Sequence, residues 1–192
     1  MSAVTKLETE RLILRQWQQS DLPAFAALNA DTEVMAYFPA TLSVAESNTL
    51  AEKLRRQILE QGWGLWALER KSDGAFIGFT GLQNFSDMPF LPKGESAVEI
   101  GWRLARSAWG QGLASEAARA ATDFAFTRLA LTDLYSFTAC QNSRSIAVMI
   151  RLGMQPCPET FRHPRLPEDS PLSEHVLYRL QKRITSPIEP RL

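Results

Sequence analysis

The chain has 192 residues, enough for one domain with a substantial core and few for two. Its 45% hydrophobic and 22% charged residues are ordinary for a soluble globular protein, and 21 basic side chains balance 21 acidic ones. That balance excludes the long-range field of a nucleic-acid or anionic-membrane binder, and no stretch approaches the roughly 20 apolar residues of a membrane helix.

The first ten residues carry Lys6, Glu8 and Glu10 without an apolar run, unlike a signal peptide, so a cytoplasmic location is expected. Arg11 to Trp17 reads as a short apolar-rich strand. Ser20 or Asp21 then caps a helix with Pro23 in its first turn. Ser43 with Glu46 forms a capping box opening a second helix; Leu50, Leu54 and Ile58 continue its apolar stripe and Gly62 ends it.

Trp63 to Glu69 and Ala75 to Leu82 read as strands joined by the Ser72-Asp73-Gly74 turn. Phe85 to Gly94, with two prolines, reads as a loop. Ala97 to Leu104 is a strand with Val98, Ile100, Trp102 and Leu104 on one face and Glu99, Gly101 and Arg103 on the other. A helix rich in alanine follows from Leu113 to about Leu129, its Leu113, Ala117, Ala121 and Phe124 facing a core.

Leu134 to Ala139 is a strand, Ser143 to Leu152 a helix stopped by Gly153, and His175 to Leu180 a final strand. Residues 1–184 are expected to form a single domain and residues 185–192 a flexible tail. The fold expected is α/β, one mixed central sheet of about six to seven strands flanked by about four helices. Cys140 and Cys157 lack metal or redox spacing and read as reduced thiols; His163 and His175, 12 residues apart, match no zinc pattern, so no metal is expected.

Between the Glu99 strand and the alanine-rich helix lies Trp109-Gly110-Gln111-Gly112-Leu113-Ala114. Glycines there let a ligand approach the backbone, and the first helical turn offers unpaired N–H groups at the positive end of a dipole. A tight turn is the simpler reading of Gly-x-Gly alone. A Rossmann loop fits poorly, because Ser115 stands where its third glycine belongs and the segment lies past the middle of the chain.

The stretch from Glu99-Ile100-Gly101-Trp102 to Ser115-Glu116-Ala117 resembles the coenzyme A motif of the GNAT acetyltransferases. More narrowly it resembles the RimJ/RimL branch of ribosomal-protein N-terminal acetyltransferases. The opening Glu8-Thr9-Glu10-Arg11-Leu12-Ile13-Leu14-Arg15 is similar to that branch's first strand, and Asn142-Ser143-Arg144-Ser145 to its later asparagine–serine segment. The resemblance implies a GNAT fold and an N-acetyltransferase that passes acetyl from acetyl-CoA directly to a primary amine, on a protein N-terminus or a small molecule. It implies coenzyme contacts from Ile100, Gly101, Trp102, Arg106, Ser107, Trp109, Gly110, Gln111, Gly112, Leu113, Ala114 and Asn142. The family commonly carries Gln or Arg where Ser107 stands, with Arg106 adjacent.

Acetylation of an amine needs its free base. At pH 7 that is about 10% of an α-amine and under about 0.1% of a lysine, so N-terminal amines need less help from a base. Glu99 is the carboxylate proposed for deprotonation, against the alternative of a solvent-facing glutamate or one paired with Arg103. A backbone N–H near Ile100 to Trp102 is expected to meet the oxyanion. No tyrosine lies between Ser143 and Leu152, so Ser145 is the acid that the resemblance places near the sulfur, against a plain first-turn serine. Asn142 contacts coenzyme, caps the helix, or does both. Tyr37-Phe38-Pro39 is expected to wall the acceptor cleft, and the chain to act as monomer or homodimer. The rival function is a coenzyme A-binding sensor or scaffold without turnover.

Overall fold

The computed structural model describes residues 4–182. The first short strands, β1 (Leu7–Glu8) and β2 (Leu12–Arg15), pair with each other, and β2 pairs with β3 (Leu65–Arg70). Between β2 and β3 lie the helices α1 (Leu22–Ala30) and α2 (Val44–Gln61). The capping box at Ser43 forms in full, and Gly62 takes the left-handed cap position at φ 81°. The hairpin of β3 and β4 (Ala75–Ser86) continues into β5 (Ser96–Leu104); α3 (Leu113–Thr127), β6 (Asp133–Ala139) and α4 (Ser143–Arg151) follow. Two short strands, β7 (Gln155–Pro156) and β8 (Phe161–Arg162), precede β9 (Glu174–Gln181).

All of these strands join one sheet in the order β1-β2-β3-β4-β5-β6-β9-β7, with β8 also on β9. Among the described residues the sheet has nine strands, where about six to seven were expected. The additions β1, β7 and β8 are two residues long, too short to carry a period, and only their partners define them. The expected loop from Phe85 starts later, because Phe85 and Ser86 pair with Ala97 and Ser96 at the end of the β4–β5 hairpin. The helix expected to reach Leu129 stops at Thr127, shortly before Ala130 turns left-handed at φ 54°. The tail expected at residues 185–192 lies outside the described residues.

The sheet has two unlike faces. Trp66, on the Ile100 side, meets Phe124 of α3 edge-on at 5.6 Å, and Leu82, Ile100, Leu113, Ala117, Ala121 and Leu134 are buried there. The opposite face carries Phe79, Gln83 and Phe85 of β4, Glu99, Gly101 and Arg103 of β5, and Tyr135 and Phe137 of β6. Helix α1 covers one end of it, where Phe25 and Trp17 pack on Phe79. Cys140 and Cys157 are free thiols.

Candidate active site

Strands β5 and β6 are the sheet's parallel neighbours, and they pair at one register only, Glu99 with Tyr135. Beyond that point β5 runs on to Leu104 and β6 to Ala139 without pairing. Backbone groups on the facing edges are thereby left for another partner.

The chain leaves β5 through a 3-10 turn, Arg106–Ala108, into the glycine segment. Gly110 and Gly112 are left-handed at φ 73° and 75°, which an L side chain adopts only with strain. Gly112 is the N-cap of α3 and no side chain caps that helix among the described residues. From Gly110 through Ser115 no backbone N–H finds a protein acceptor among the described residues. A run of unpaired donors at a helix N-terminus is an anion cradle.

The side chains of this segment do structural work. Leu113 is buried in the core, Trp109 Nε1 donates to Leu104 O at 2.9 Å, and Gln111 Nε2 donates to Ser107 O at 2.8 Å. Arg106 pairs with Glu33 at 2.7 Å on the surface. Ile100 is wholly buried and Gly101 has no side chain, so what these two offer a ligand is backbone, while the Trp102 ring is half-buried against the core.

Three groups that sequence reasoning passed over hold this loop. Arg11 donates to Gln111 O at 2.9 Å and to Glu116 Oε2 at 2.6 Å, while Thr9 Oγ1 donates to Glu116 Oε1 at 2.6 Å. The N-terminal strand thus straps the cradle to the first turn of α3. Arg144 of α4 stacks over Trp109 at 4.1 Å and ties the asparagine–serine turn to the loop. The signal lay in the sequence only as the Glu8–Arg15 and Asn142–Ser145 motifs, without a reason for their charges.

At the head of α4, Asn142 Oδ1 accepts from Ser145 N at 3.2 Å, and Nδ2 donates to Thr138 Oγ1 at 2.9 Å and to Ser145 Oγ at 3.1 Å. The cap role forms, and the amide nitrogen donates to Thr138 and Ser145 within the protein. The Ser145 hydroxyl accepts from Asn142, and no acceptor for its own proton lies among the described residues.

Glu99 sits where β5 and β6 part, between Gln83 and Tyr135. It is half-buried and makes no hydrogen bond or ion pair among the described residues. The alternative pairing with Arg103 does not form. Burial pushes its carboxyl up to about 8, opposed only by the Arg165 charge. Next to it Phe85, Phe90, Tyr135, Phe137 and Phe161 meet at ring distances of 4.9 to 6.2 Å, a largely apolar wall.

His163 and His175, far apart in sequence, have ring centroids 5.0 Å apart at the edge of this wall, and burial lowers both below the usual histidine value. No cluster of metal-ligating side chains exists among the described residues. Phe38, in the segment expected to wall the acceptor cleft, lies over Arg103 at 4.0 Å. Trp66 is core, and Trp63 packs against it.

The acetyltransferase (GNAT) domain family matches residues 11–155, and the chain belongs to that family. It is an acetyltransferase. The Bacillus subtilis protein YkkB is 32% identical over 155 residues, 80% of this chain and 87% of YkkB. A solved acetyltransferase from Agrobacterium tumefaciens str. C58 is 27% identical with a TM-score of 0.72, covering 95% of this chain and 97% of that one. RimL, the ribosomal L7/L12 α-N-protein acetyltransferase solved in complex with coenzyme A, superposes with a TM-score of 0.70 at 17% identity, over 92% of this chain and 98% of that one. That last likeness is one of fold.

Proposed function

We propose that this member of the GNAT family transfers acetyl from acetyl-CoA directly to a primary amine, a protein N-terminus or a small molecule, in the manner of the RimJ/RimL branch. Residues 1–184 would form the one domain that does so. The observation that carries the reading is the pairing of an anion cradle with an isolated carboxylate across one gap in the sheet.

The donors from Gly110 to Ser115 suit the coenzyme's pyrophosphate, with Arg106, Ser107 and Trp109 around it. The unpaired edges of β5 and β6 suit the amide-bearing pantetheine arm, which can hydrogen-bond as an added strand does. Asn142 acts on this arm through Ser145, which it orients.

Chemistry follows from the same placement. Glu99, held near 8, accepts the proton of the incoming ammonium directly or through water. The free amine attacks the thioester carbonyl, forming the C–N bond. A backbone N–H of Ile100 to Trp102 stabilises the oxyanion. As the C–S bond breaks, the Ser145 hydroxyl donates to the departing sulfur, which leaves as the thiol. The second proton, shed by the acylated nitrogen, passes through water to restore the Ser145 hydroxyl, and Glu99 gives its proton to solvent. No acyl-enzyme is needed.

Labelled acetyl-CoA offered with N-terminal peptides, polyamines and aminoglycosides tests the reading. Label transferred to an amine, and lost in Glu99→Gln, supports it. Tight acetyl-CoA binding with transfer to none of them favours the sensor or scaffold.

A further inference from the structure

Arg103 stands out among the arginines of this fold. Arg11, Arg15, Arg55, Arg70, Arg106 and Arg179 each meet a carboxylate at ion-pair distance. Arg56, Arg119, Arg128, Arg144, Arg151, Arg162 and Arg165, which meet none among the described residues, are all exposed. Arg103 also meets none among the described residues, yet it is half-buried. Its guanidinium lies 4.0 Å from the Phe38 ring and 5.3 Å from Phe79, and Nη1 donates to Asn29 Oδ1 at 2.7 Å. Its Nε is buried without an acceptor.

The neutral partner is itself held in place. Asn29 and Ser47 are both wholly buried, and Asn29 Nδ2 donates to Ser47 Oγ at 2.9 Å, which turns Oδ1 toward Arg103. Phe38 and Phe79 flank the guanidinium, and Nη1 is the one nitrogen with a protein acceptor among the described residues, so the Nη2 side is left for an acceptor from outside the protein. Burying a cation against neutral groups is costly unless an anion completes the site.

Arg103 shares its sheet face with Glu99, four residues back on β5, with Gly101 between them. A Cβ at Gly101 would lie 4.0 Å from Glu99 Oε1, so the carboxyl leans along the strand toward Arg103. At about 3.3 Å per residue the two α-carbons are about 13 Å apart on that face. A lone carboxyl and a lone guanidinium thus share one face of the sheet without pairing with each other.

We infer that Arg103 docks an acidic group carried by the acceptor, so that the substrate is an amine bearing a carboxylate, amino-acid-like to dipeptide-like in size. The inference rests on Glu99 marking the amine end. A carboxylate matches the planar fork of the guanidinium, and a phosphate presents the same chemistry from another source.

The test compares kcat/KM for short ω-amino acids, their amides, and aminoalkyl phosphates. Acids should exceed amides by at least about tenfold, the low end for a hydrogen bond to a charged group. Arg103→Met should bring acids down to the level of amides through KM, and Arg103→Lys should keep part of the preference, in variants that melt as cooperatively as the parent. Equal rates for acids and amides, or a ratio unchanged in Arg103→Met, overturn the inference. Preference for the phosphates over the acids overturns the carboxylate assignment. Should no amine be acetylated, the acetyl-transfer reading fails by itself, and calorimetric titration with a short ω-amino acid in the presence of coenzyme A decides about Arg103. Binding lost in Arg103→Met supports the docking role, and no binding to the parent refutes it.

Discussion

Glu99→Gln should make the protein more stable and less active. Unfolded, Glu99 loses its proton near 4.5, whereas the fold holds that proton to about 8. Between those values the native state binds a proton that the unfolded chain does not, so stability falls as pH rises through the window. At about 1.4 kcal/mol per pH unit the full loss is about 5 kcal/mol, of which about 3 kcal/mol is already incurred at pH 7. Glutamine mimics the protonated acid and escapes the loss. For a chain of this size about 3 kcal/mol raises Tm by about 6–12 °C. Urea or thermal melts of both proteins at about pH 5, 7 and 8.5 should converge at the acid end and separate at the basic end. Turnover of the parent should rise with pH through about 8, measured on an acceptor amine that titrates well away from that value, and the variant should lose this inflection. Stability curves that keep the same pH dependence in both proteins would refute the desolvation of Glu99, and with it the tuned base.

Arg11→Ala removes the strap from Gln111 O and Glu116, and should raise KM for acetyl-CoA about three- to tenfold with a smaller change in kcat. Coenzyme A titration checks it. Ser145→Ala should lower kcat about a hundredfold without loosening acetyl-CoA; single-turnover thioester cleavage reads the effect, and an unaltered rate removes the serine from the acid role. Gly112→Ala forces a side chain into φ 75°, which should destabilise by about 1–2 kcal/mol and weaken coenzyme binding at the same time. Thermal melts and coenzyme A titration measure the two losses together.

What could be read from the amino acids alone was what acts over a few residues. The Ser43–Glu46 box, the Gly62 and Gly153 caps and the Gly110–Gly112 turn are local, and each forms where residue type and spacing placed it. The strap on the cradle is not local. Arg11 and Glu116 lie more than a hundred positions apart, and each reads by itself as an ordinary surface charge. Strands of two residues carry no pattern. The rise of Glu99 to about 8 depends on rings from four segments, and nothing about a glutamate between Val98 and Ile100 tells whether they gather around it.

The same division explains why the donor half of this site is legible and the acceptor half is not. A pyrophosphate is held by backbone N–H groups, so two glycines and a helix start suffice, and they lie within the matched residues 11–155. An amine acceptor is met by side chains. Phe161, His163 and His175, whose rings lie together at the edge of the aromatic wall, and Arg165, whose charge acts on Glu99, all follow residue 155, beyond the family match. Arg103 and Phe38 close the other end from two segments far apart in sequence. On the proposed reading, acceptor choice resides in contacts between segments distant in sequence. That is why acids and amides tested against Arg103 variants inform on the substrate more directly than any motif does.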